Sequence, residues 1–110
     1  MDYETARDFL IRQGQATEPD AFLVRLQRGE PPVPGQVTSI LLALKLLRDA
    51  LQTERLLERK LVLALYHLAM QSRQQFEVKR RSGVLWPPLL DEDVGRIAAA
   101  VEAIFGETVL

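Results

Sequence analysis

Two leucine-rich stretches, Val37–Leu51 and Leu56–Ser72, lie nearly end to end in the middle of the chain, and each is apolar on more than one side. A helix that only floors a small domain needs one apolar stripe; a second stripe makes it internal to a bundle or half of an interface. In the first stretch Val37, Ile40, Leu44, Leu47 and Leu51 keep the alternating three- and four-residue spacing of one helix face. Leu42 and Leu46 fall on roughly the opposite side, beside Thr38, Lys45 and Asp49. In the second, Leu57, Leu61, Ala64, Leu65, Leu68, Ser72 and Phe76 make the main stripe. Leu56, Leu63 and Met70 recur at heptad spacing on its far side, next to Tyr66. Packing and assembly are therefore what the chain chiefly encodes.

The flanking segments read as shorter helices. Tyr3, Ala6, Phe9 and Leu10 share a face within Met1–Gln13, and Gly14 is a stop signal. Thr17-Glu-Pro-Asp20 has the form of a helix start, with a hydroxyl cap, a first-turn proline and a reciprocal acid. Phe22, Leu23 and Leu26 then supply a buried face up to Gly29. The three prolines of Glu30–Gly35 remove donors and force extended geometry, which makes a stiff connector. Thr53 offers a cap and Glu54 a first-turn charge for the fourth helix, whose leucine-rich stretch begins at Leu56, and Lys79, Arg80 and Arg81 close that helix before Gly83. Val84–Leu90 is a second proline-bearing connector. Asp91 then reads as the cap of a last helix that buries Val94, Ile97, Ala98, Val101, Ile104 and Phe105. No stretch alternates with period two, and no segment repeats. The expected fold is all-α: one domain over residues 1–110, about five helices, built on a central antiparallel helical hairpin that the terminal helices cover.

Composition narrows the chemistry. The chain holds 110 residues, enough to bury roughly 65% of its unfolded surface in one core. It has no cysteine, which excludes a disulfide framework, a zinc finger and a thiol redox motif. The acidic residues Asp2, Glu4 and Asp8 stand where a secretory signal would be basic, and the longest apolar run, Leu61–Met70, falls short of the roughly 20 residues of a membrane span. A cytoplasmic protein with no membrane span is expected. Residues 45–81 hold nine basic and four acidic groups while both flanks are net acidic, a pattern of internal complementarity more than of a nucleic-acid footprint.

The segments Pro34-Gly-Gln-Val-Thr-Ser-Ile-Leu-Leu-Ala-Leu-Lys45 and Gly83-Val-Leu-Trp-Pro-Pro-Leu-Leu-Asp-Glu-Asp93, with Met1–Leu10 and Gly14-Gln-Ala16, resemble a small family of cyanobacterial helical proteins of about this length. The resemblance spans nearly the whole chain and brings no motif of known role. Some members of that family carry the name dethiobiotin synthetase. That enzyme cradles ATP in a Gly-x-x-x-x-Gly-Lys-Ser/Thr loop between a strand and a helix. This sequence has neither the loop nor a strand to hold it.

Candidate site residues are few. His67 is the lone histidine, and nothing near it in sequence supplies the orienting partner and nucleophile that a catalytic base requires. Asp91, Glu92 and Asp93 point in three directions from the start of one helix, which suits capping better than a cation. Arg73, Lys79, Arg80 and Arg81 form the best basic cluster, the basis of an alternative reading as a nucleic-acid-binding regulator, although Glu77 dilutes it. No catalytic, cofactor or metal residue is expected. The leading expectation is a non-enzymatic helical interaction or assembly protein. Its homodimer interface would be built from Leu42, Leu46, Leu56, Leu63, Tyr66 and Met70. A further protein partner would dock on the stiff apolar connectors at Val33, Trp86, Pro87 and Pro88, with Trp86 as the buried anchor. The competing role for Trp86 is a plug over the core.

Overall fold

The computed structural model describes residues 1–106, all of whose regular structure is helical. The order is α1 (Tyr3–Gln13), α2 (Phe22–Gln27), α3 (Gln36–Leu51), α4 (Arg59–Tyr66), a π-helical segment (His67–Gln71), α5 (Ser72–Arg81) and α6 (Leu90–Phe105). The α4, π and α5 segments follow one another without a break, so there are five rods, as the periodicity predicts.

The rods form a ring around a leucine-rich centre. α1 packs against α3 and α4, α6 packs against α3 and the π segment, and α2 lies along α5. The two central rods thus sit at opposite corners and meet chiefly through α1 and α6, rather than as a directly packed hairpin. Ile40, Leu44, Leu47, Leu61, Leu65 and Leu68 nevertheless share one core with Leu10, Phe22 and Ile97. Val94, Ile97, Val101 and Ile104 are buried as their spacing predicts, whereas Phe105 turns outward.

Ends of helices explain most departures from the sequence reading. The amide of Phe22, the first orphan donor of α2, is taken by the Gln13 side chain at 2.9 Å, so Thr17 does not start that helix and residues 14–21 stay in turns. α6 begins at Leu90 without a side-chain cap, and Asp91 faces Arg73 instead. α4 begins at Arg59 after Glu58, not at Leu56. The Arg7 guanidinium grips both Glu58 carboxylate oxygens, at 2.7 and 2.5 Å, and fixes where the chain re-enters the bundle. Gly29 and Gly83, with φ of 73° and 103°, close α2 and α5 by matching left-handed turns. In each, the next amide reaches back to a carbonyl of the last turn, Glu30 to Arg25 at 2.9 Å and Val84 to Lys79 at 3.0 Å.

The π segment has a packing cause. From Leu61 to Phe76 an ordinary helix would drift about 60° past whole turns, moving Phe76 toward the edge of the core-facing stripe. A stretch of i→i+5 bonding winds less per residue and takes that drift back. Leu61, Leu65, Leu68 and Phe76 accordingly all stay buried. Ser72, at the end of the segment, is fully buried and its hydroxyl has no partner among the described residues.

Gly14 is where the first helix meets the fourth. A Cβ on it would stand 2.5 Å from the Ala64 carbonyl oxygen, so only glycine permits this approach. Gly14→Ala should destabilise the fold by about 2 kcal/mol through forced separation of α1 and α4, read as a lowered denaturant midpoint with the helical circular dichroism signal retained. Glu58 gives a second check. Its hydrogen bonds from Arg7 hold its carboxyl below the ordinary 4.5. Its contribution is therefore complete above that value and is lost as pH falls through the lower, folded-state value. Acid titration of Glu58→Gln should show a shallower loss of stability below about pH 4.5 than the wild type; identical curves would remove Glu58 from the account.

Candidate interaction surface

The candidate residues do not gather at one place. Leu63, Tyr66 and Met70 stand on the outer face of the α4 rod, 55%, 47% and 57% exposed, at the i, i+3 and i+7 positions of a single stripe. Leu42 is exposed on α3, at the opposite corner of the ring. Leu46 leaves the set because it is half-buried and packs against the core beneath α3. Leu56 leaves the stripe because it precedes α4; it projects from the 52–58 loop with 89% of its surface in solvent. One dimer contact therefore cannot cover all six residues.

The proline connectors do come together. Pro32 and Val33 from the first, and Pro87 and Leu89 from the second, border one hollow of about 270 Å³. Val33 and Pro87 are exposed there, and Pro88, next in the chain, is exposed as well. Trp86 is not among them. Its ring stacks on Phe76 with centroids 5.8 Å apart and planes 17° apart, and its Nε1–H donates to the Phe76 carbonyl at 3.0 Å. A half-buried indole with its donor satisfied fits the competing role, a plug over Phe76. Arg73 and Arg80 complete the cluster, with guanidinium carbons 5.4 and 5.3 Å from the Phe76 ring centre.

The same two arginines lie among carboxylates. Arg73 binds the Asp91 carboxylate at 2.6 Å and its backbone carbonyl at 3.0 Å, and Arg80 binds Glu77 at 2.5 Å. Among the described residues this leaves Lys79 and Arg81 as the uncommitted members of the basic cluster, and Asp91 is an arginine clamp rather than a cap. His67 is half-buried, and its Nδ1 lies 2.9 Å from the Gly14 carbonyl. A carbonyl only accepts, so Nδ1 carries the proton, and the ring braces the α1–α4 contact. No group of three or more histidine, cysteine, aspartate and glutamate side chains with metal-binding geometry occurs among the described residues. No helix among them is long and apolar enough to cross a membrane.

Sequence reading missed the hollow bordered by both connectors, since nothing in a linear pattern pairs residue 33 with residue 87. No protein-family model, curated protein or solved structure matches the chain. The plug makes a measurable claim. Trp86→Ala should cost about 3 kcal/mol, the low end for removing a core aromatic. Trp86→Phe keeps the stack, loses the one hydrogen bond and should cost about 1 kcal/mol. Thermal melts of both variants check the order; a Trp86→Ala melt equal to wild type would return Trp86 to the exposed surface.

Proposed function

We propose that this protein is a non-enzymatic, cytoplasmic assembly module that pairs with a second copy of itself through the outer face of α4. The observation that carries the reading is the stripe of Leu63, Tyr66 and Met70, about half exposed on a rod whose inner side is fully closed by Leu61, Leu65 and Leu68. Three large apolar side chains grouped on one helix face invite aggregation unless another surface covers them. A two-fold axis crossing the rod near Tyr66 covers them reciprocally. It sets Leu63 against Met70 of the second copy, and Tyr66 against its own mate.

The alternative, binding to nucleic acid through the basic end of the rod, draws little from the geometry. Asp91 and Glu77 already hold Arg73 and Arg80, and a phosphate would compete with both. The resemblance to a cyanobacterial family supports a role in such a cell and names no process.

Light scattering at tens of micromolar, roughly where a dimer of about 8 kcal/mol saturates, tests the pairing. Wild type should run at a multiple of the protomer mass. Leu63→Glu should halve that mass while keeping its helical spectrum, because Leu63 is not part of the core. An unchanged mass, or a monomeric wild type, would defeat the proposal.

A further inference from the structure

α3 and α6 run parallel. Val37 borders the same hollow as Leu89, Leu90 and Asp93, and Leu51 the same hollow as Ala103, Ile104 and Phe105, so their first turns lie together and so do their last. Between their first halves lies a second hollow, of about 480 Å³, that shares Val37, Thr38, Leu89 and Asp93 with the connector hollow and continues it toward Lys45. The two form one groove, roughly 12 Å along the helix axes from Val37 to Lys45. Leu41 and Leu42 line it from α3, and Leu89 stands 65% exposed where the two hollows join.

We propose that this groove is a second self-association surface, closed by the same groove of another copy, so that assembly continues beyond the α4 pair. The argument is charge complementarity. Asp93 and Arg96 both border the groove from α6, one turn apart and 3.4 Å from each other within a protomer. A two-fold axis laid across the helices midway between Asp93 and Arg96 places every Asp93 opposite Arg96 of the other copy. The same operation brings the Leu41 and Leu42 side of one groove over that of the other and drops Leu89 onto the small Ala99–Ala100 surface of the facing α6. Acid meets base, bulk meets small residue, and the operation that satisfies one pair satisfies all of them. A foreign segment laid in the groove would have to bring both charges in the right order, whereas a reversed copy brings them automatically.

Because α3 and the α4 rod occupy opposite corners, the groove and the α4 stripe do not overlap, and this inference stands or falls separately from the α4 pairing. Light scattering of four proteins distinguishes them, each checked for fold by circular dichroism. With both surfaces active, wild type is tetrameric or larger, Leu63→Glu alone is dimeric, and Leu63→Glu with Leu89→Glu is monomeric. Leu42→Glu in place of Leu89→Glu, at another exposed position, should give the same monomer and guards against a local folding fault. Charge supplies an independent readout in the Leu63→Glu background. Asp93→Arg should dissociate the dimer by setting arginine against arginine, and Asp93→Arg with Arg96→Asp should restore it. A Leu63→Glu protein that is already monomeric overturns the groove as a self-association surface while upholding the α4 stripe. A dimer that persists in Leu63→Glu and is insensitive to Leu89→Glu and Leu42→Glu overturns it as well. If wild type is a dimer that Leu63→Glu leaves intact and Leu89→Glu dissociates, the groove is upheld and the α4 pairing falls.

Discussion

The side-chain amide of Gln36 is the fastening on which the arrangement of helices depends. It is buried, donates to the Gln13 side chain and to the Asp20 carbonyl at 2.8 Å each, and accepts from the Val33 amide at 3.0 Å. Gln13 in turn takes the first amide of α2. One residue at the start of α3 therefore holds the end of α1, the turn before α2 and the proline connector. Each such bond contributes only about 1 kcal/mol net, but losing the amide would leave several groups wanting partners away from water, which costs about 1–3 kcal/mol apiece. The apolar core would tolerate several placements of a six-residue α2. The two glutamines select one.

What was legible in the sequence is what local spacing controls. The extents of α3 and α1, the closing turns at Gly29 and Gly83, and the buried faces of α3 and α6 follow from periodicity and from glycine at the ends. What was not legible comes from residues distant along the chain. The capping pattern at Thr17 loses to a side chain from the preceding helix, and Asp91 is drawn from a capping role by Arg73, 18 residues away. Leu56 keeps heptad spacing with Leu63 and Met70, yet the Arg7–Glu58 contact starts the helix after it. The π segment had no signal in the local spacing, which is that of an ordinary helix stripe.

The proposed interaction surfaces divide along the same line. The stripe of Leu63, Tyr66 and Met70 lies on one helix and could be counted off in sequence. The groove takes its walls from residues 37–45 and 89–96, whose proximity depends on α3 and α6 running the same way. Trp86 shows the converse. Its composition and its proline neighbours suggested an exposed anchor, and the deciding fact was a backbone carbonyl at Phe76 placed to receive the indole proton.

Parallel packing of α3 and α6 also has an electrical consequence. Each is 16 residues long, and their peptide dipoles point the same way and add, where an antiparallel pair would cancel. Asp91, Glu92 and Asp93 in the first turn of α6 and Arg48 in the last turn of α3 oppose that sum at its two ends. The remainder polarises the molecule along these helices. A neighbour approaching the groove side feels this field before any side chain touches, and the proposed two-fold pairing, which sets the second copy's helices antiparallel, would let the two fields offset each other.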